Sequence, residues 1–176
     1  MSKKLGFIGI LMAAVLVLAG CGSTKSEAQF SMSDIMFAQM MIVHHDQAIE
    51  MSELVPERTT NPKILDLAKR IEAAQGPEIE QMKSWLTSAG AGMEMGHSMA
   101  MPGLLSESEM SKLRAASGTV FDLAYLKGMI AHHEGAIMMA DEVQNSKNPE
   151  VSALANAIIK AQTAEIKEMK LELASK

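Results

Sequence analysis

A single cysteine in 176 residues, Cys21, excludes any disulfide within the chain. Aromatic residues make up only 3%, with one Trp and one Tyr, too few for the core of a β-sandwich. Basic residues do not dominate: 16 Lys and Arg against 21 Asp and Glu give a formal net charge of −5. That balance removes nucleic acid and anionic membrane surfaces from the expected partners. The apolar run from Leu5 to Leu18 falls short of the roughly 20 residues that span a bilayer comfortably. Methionine, by contrast, is plentiful at 17 residues, a composition that suits packed helices.

The N-terminus reads as a targeting segment. Lys3 and Lys4 precede the apolar run, and Leu18-Ala19-Gly20-Cys21 resembles a bacterial lipobox. Residues 1–20 are therefore expected to be a lipoprotein signal peptide, with Cys21 lipidated after cleavage. The alternative, an ordinary signal peptide with a chance cysteine, is disfavoured because Cys21 falls where the small-residue cleavage site should end. Residues 21–32 are mostly small and polar and read as a flexible tether.

Beyond the tether the sequence repeats itself. Met41-Ile42-Val43-His44-His45 returns 88 positions later as Met129-Ile130-Ala131-His132-His133, the step from His44 to His132. Asp34, Phe37, Ala48, Ile49 and Met51 correspond to Asp122, Tyr125, Ala136, Ile137 and Met139. After one residue is lost, Asn61-Pro62, Gln75, Glu78, Ile79 and Met82 correspond to Asn148-Pro149, Gln162, Glu165, Ile166 and Met169. Duplication explains the likeness, but not why the copies agree at His, Gln and Glu, which are poor core residues.

Helical spacing and Asn-Pro starts divide the chain into a first helix pair over residues 33–88 and a Met-rich linker over 89–105. A short helix and a second pair follow over 106–176. Neither pair can bury its apolar faces alone. The expected fold is all-α, an antiparallel four-helix bundle from a tandem duplication plus a short extra helix. An elongated helical hairpin dimer is the main alternative.

At about 100° per residue, His44 and His45 share a face with Asp34, Met41 and Ala48; His132 and His133 share one with Asp122, Met129 and Ala136. Gln75 with Glu78, and Gln162 with Glu165, lie on the apolar faces of their own helices. The interior should thus contain a polar layer whose burial needs either a metal or a fully paired network. No long helix carries the Glu-x-x-His of carboxylate-bridged di-iron proteins. Imidazole and thioether donors favour copper over iron, calcium or magnesium, with another transition metal as the alternative. The expected ligands are Met41, His44, His45, Met129, His132 and His133. Asp34, Gln75, Glu78, Asp122, Gln162 and Glu165 would support them as outer partners. In the linker, Met93, Met95, His97, Met99 and Met101 stand at every second position, in a stretch too rich in glycine to need methionine for packing. They are expected to collect soft cations at lower affinity.

The twin pattern Met-x-x-His-His-x-x-Ala-Ile-x-Met, each copy followed by Gln-x-x-Glu-Ile-x-x-Met, resembles the bacterial family known as domain of unknown function 305. The resemblance implies a ferritin-like helical bundle, exported or membrane-anchored, linked to copper binding and resistance through His and Met ligands. One departure is Gly128 where the first copy has Met40, so Met40 is not a ligand needed in both halves. The expected function is an extracytoplasmic, lipid-anchored protein that buffers Cu(I) or Cu(II) or passes it to a transfer protein or a second copy. Two rivals remain: a ferritin-like metal-dependent oxidase or peroxide-consuming enzyme, and a metal-free structural or partner-binding lipoprotein.

Overall fold

The computed structural model of the protein describes residues 30–94 and 101–175. Every regular element in them is a helix: α1 (Met32–Glu53), α2 (Val55–Arg58), α3 (Pro62–Ser88), α4 (Glu107–Ala115), α5 (Gly118–Asp141) and α6 (Pro149–Ala174). The all-α class is therefore as expected. None of these helices is long and apolar enough to cross a membrane. The lipobox with Cys21, and Met95, His97 and Met99 of the linker, lie outside the described residues.

Local chemistry sets the boundaries. Ser31 and Ser106 each accept from the amide three residues on, and Asp34 and Glu109 return the bond, so α1 and α4 both open with capping boxes. Asn61 and Asn148 cap α3 and α6, each followed by proline, whose missing N–H is harmless in a first turn. Such caps contribute about 1 kcal/mol each. The first helix ends at Glu53, and Pro56 lies in the first turn of the separate short helix α2.

The long helices pack as two pairs, α1 with α3 and α5 with α6, joined chiefly where α1 meets α5. Across α3 and α6, Lys63 pairs with Glu172 at 2.8 Å, Arg70 with Glu168 at 2.6 Å, and Trp85 Nε1 donates to Glu150 at 2.9 Å. Rising numbers on one helix meet falling numbers on the other, so these two run antiparallel.

The core falls into two apolar clusters whose residues exchange under the repeat. Phe37, Met41 and Ile42 in the first cluster answer Tyr125, Met129 and Ile130 in the second. Ala136 and Met139 in the first answer Ala48 and Met51; Val151, Leu154 and Ile158 answer Ile64, Leu67 and Ile71. Along α1, the buried cluster residues before His44 belong to the first cluster and those after His45 to the second; along α5 the order is reversed. The two helices therefore run in opposite directions, with both histidine pairs at the boundary between the clusters. One polar pair breaks the equivalence: Tyr125 Oη meets Ser52 Oγ at 3.1 Å, where the other half has Phe37 and Ala140. Both groups are polar in one half and both apolar in the other, so neither half buries an unmatched hydroxyl here.

Candidate metal centre

Each histidine pair is placed by its helix. Two adjacent residues straddling the inner stripe of α1, or of α5, send both imidazoles inward, and all four are fully buried. Asp46 and Glu134, one residue further on, are exposed. Because α1 and α5 are antiparallel and cross at this height, His44 meets His132 with ring centroids 3.8 Å apart and planes tilted by 41°.

The outer two imidazoles are held by carboxylates. His45 Nε2 lies 2.8 Å from Glu78 of α3, and His133 Nε2 lies 2.8 Å from Glu165 of α6. A carboxylate only accepts, so each Nε2 carries the proton and, in the neutral ring, Nδ1 keeps its lone pair. His44 Nε2 lies 3.0 Å from the Pro102 carbonyl oxygen, which forces the same tautomer. The Nδ1 atoms of His44, His45 and His133 are buried without a hydrogen-bond partner, as are both ring nitrogens of His132. The His44 main chain lies close enough to His132 to favour its protonated form weakly, but no hydrogen bond of good geometry results. Gln75 and Gln162 are likewise buried, each with an unpartnered Oε1.

Burial sets the charge state of the central pair. Desolvation, aided by repulsion from His45 and His133 and opposed by the Pro102 carbonyl, lowers the His44 pKa to about 4. His132 is lowered well below its usual value by burial and by His44, His133 and His45. Both rings are therefore neutral at pH 7. Neutral imidazole is the ligating form, so the lone pairs here are already free of protons.

A segment invisible to helical periodicity covers this layer. Gly103, at φ +81°, lies so close to α5 that an added Cβ would sit 2.4 Å from the Ala131 carbonyl oxygen. A Cβ on Gly135 would lie 2.0 Å from the Pro102 carbonyl oxygen. On the α1 side, Gln47 Nε2 donates to Leu105 O at 2.9 Å and Gln47 Oε1 accepts from Leu105 N at 2.8 Å. The end of the linker is thus a strap pinned between the two helices and bonded to His44. The far end of the Met-rich linker is therefore part of the interior site. Its near end is tied too, with Gln39 Nε2 donating to Gly92 O and Glu94 O. Gln47, Pro102, Gly103 and Gly135 were not among the residues singled out from sequence. A glycine at position 135, where the first copy has Gln47, was the available hint of a close backbone approach.

Other expected site residues are placed differently. Met41 and Met129 are fully buried, but in different apolar clusters, on opposite sides of the imidazole layer. Asp34 belongs to the α1 capping box and accepts from Ser146 Oγ at 2.7 Å; Asp122 lies 3.5 Å from Asn61 Nδ2. Each stands ten residues before its histidine, about 15 Å along the helix, too far to orient an imidazole. They tie helix starts to the opposite pair's loop, which corrects the expectation that they steer ligands. Met93 is exposed and Met101 half-buried, next to the strap. Among the described residues, no three His, Cys, Asp or Glu side chains converge as a cluster able to hold a metal ion. What the layer offers is a neutral imidazole pair with unsatisfied nitrogens, flanked by two carboxylate-anchored imidazoles.

The family model for the domain of unknown function DUF305 matches residues 34–173. Among solved structures, a DUF305 protein from Streptomyces coelicolor, described as secreted, has a TM-score of 0.78 at 31% identity, with 81% of this chain and 93% of that one covered. A DUF305 fragment from Deinococcus radiodurans gives 0.77 at 28%, covering 84% and 99%. CopM in its Cu(I)-bound form gives 0.69 at 32%, covering 84% and 98%, and CopM is also solved with Cu(II), with silver and in the apo form. No protein of curated function matches the chain.

Proposed function

The chain belongs to the DUF305 family, and on that footing we propose that it is an extracytoplasmic, lipid-anchored protein that binds copper and buffers it or hands it on. The observation that carries this reading is the His44–His132 contact: two buried, neutral imidazoles whose His44 Nδ1 and both His132 ring nitrogens have no hydrogen-bond partner to offset their desolvation. A bound soft cation would satisfy those nitrogens. His45 and His133, oriented by Glu78 and Glu165, are co-ligands or positioning residues beside it. Met41 and Met129 supply thioethers from either side of the layer. The copper and silver forms of CopM support the choice of metal, and the exchange of the two clusters under the repeat supports a ferritin-like four-helix bundle built by duplication.

Protein purified from copper-supplemented cells should carry copper by elemental analysis; metal-free protein that also takes up none in vitro would overturn the reading. Replacing Met93, Met95, Met99 and Met101 by Leu should lower Cu(I) stoichiometry without loss of helicity. Equal loading of the variant and the parent would remove the linker as a collecting site. The anchor is tested separately. Cys21→Ser should leave a soluble exported form or an unprocessed precursor, and unchanged membrane lipidation would end the lipoprotein assignment.

A further inference from the structure

The repeat creates two equivalent grooves on the outside of the α1–α5 contact, and the structure treats them differently. In the second half the groove lies over Ala124 and Gly128 and is narrowed from the strap, leaving a cavity of about 360 Å³: a Cβ on Gly128 would lie 3.1 Å from Leu105 Cδ2 and 3.3 Å from Met51 Cε. The counterparts in the first half are Met36, Met40 and Met139. They line one surface cavity of about 250 Å³, with the buried Phe37 and Val143 behind them and the exposed Glu142 beside them. Met36 is 37% exposed and Met40 half-buried, so these two thioethers reach solvent, while Met139 forms the buried floor of the cavity as part of the first core cluster. One turn earlier, at the same helical spacing, Met32 is 71% exposed.

We infer that this groove is a separate, solvent-accessible site for a soft monovalent cation, Cu(I), held by the thioethers of Met36, Met40 and Met139. The fold itself does not call for methionine here, since the other half lines the same surface with Ala124, Gly128 and Leu105. Three neutral sulfur donors favour a soft monovalent ion such as Cu(I) over hard magnesium or calcium. The Glu142 carboxylate offsets the single positive charge without entering the soft donor set. Thioethers do not titrate, so the site holds its ion in mildly acidic surroundings. Exposure lets the groove load and release without unfolding, which the buried imidazole layer cannot do as freely. The inference stands on donors that share no residue with the imidazole layer.

The test is an Ag(I) titration of the full chain labelled at its methionine methyl groups, followed by NMR. Leucine keeps the volume and apolarity of methionine, so Met36→Leu, Met40→Leu and Met139→Leu should fold. The three methyl signals, identified by these variants, should shift together and saturate at one equivalent of Ag(I). The triple variant should bind one equivalent fewer than the parent, and the shifts should persist in His44→Ala/His132→Ala. Should the triple variant fail to fold, Met36→Leu alone, on the open side, should weaken Ag(I) at the groove roughly tenfold or more. Full stoichiometry in the triple variant, or unmoved signals from these three methyls while others respond, would overturn the site. Loss of the imidazole reading would look different: the histidine variants would bind as the parent does, with the groove signals unchanged.

Discussion

His44→Ala and His132→Ala are each expected to abolish high-affinity copper binding, and the double variant to lose little beyond either single. The two rings belong to different copies of the repeat yet are 3.8 Å apart, so an ion satisfying one is within reach of the other. A site assembled from both copies is broken by the first substitution, and residues acting as a unit are non-additive. The affinity loss should exceed the roughly 10–100-fold that follows removal of an outer partner. If each copy held its own ion, each single variant would instead lose one equivalent and the double both. Competition titrations with Cu(I), with circular dichroism to confirm folding, separate these outcomes. Parental affinity in all three variants would return the histidines to a structural role.

The metal-free protein is expected to lose stability steeply on mild acidification, and the central histidines to cause it. In the unfolded chain His44 takes up a proton near pH 6.5; in the folded protein it does so only near pH 4. Between these values the unfolded state binds more protons, so stability rises with pH. The contribution is fully present above pH 6.5 and is lost progressively down to pH 4, reaching about 3 kcal/mol for His44 alone. His132 shifts in the same direction for the same cause, burial. Against a typical total of roughly 5–15 kcal/mol, that is a large fraction. Urea midpoints of the metal-free protein should therefore fall between pH 6.5 and 5. His44→Gln/His132→Gln should flatten that part of the profile, leaving the slope from the carboxylates at lower pH. Copper should steepen it, because a bound ion also holds the imidazoles neutral. Midpoints that do not move over this range in the metal-free parent would contradict the buried neutral state of the pair.

The same low proton affinity bears on function. Most imidazole sites release metal as the rings protonate near their ordinary pKa. Here His44 resists protonation to about pH 4, so protons compete weakly for its lone pair at moderately acid pH. The strap contributes to this state in two opposing ways. Its Pro102 carbonyl favours the protonated ring, against the larger effect of burial, while fixing the proton on Nε2 and so leaving Nδ1 free.

Sequence by itself determined the repeat, the helical class, the Asn-Pro starts at Asn61 and Asn148, and the face of each helix that carries the histidines. These are local matters: periodicity fixes the angle around a helix axis, and capping chemistry fixes its ends. It also placed Glu78 and Glu165 on inward faces, where the structure bonds them to His45 and His133. Helical phase says nothing of height along a neighbouring axis. Only packing decided that α1 and α5 run antiparallel and cross where His44 meets His132, and that Met41 and Met129 separate into two clusters. The same limit misassigned Asp34 and Asp122, which share the histidines' face but lie three turns away. The strap was beyond reach for another reason: it acts through the Pro102 carbonyl and the missing side chains of Gly103 and Gly135, and a backbone contact leaves no periodic mark on a sequence.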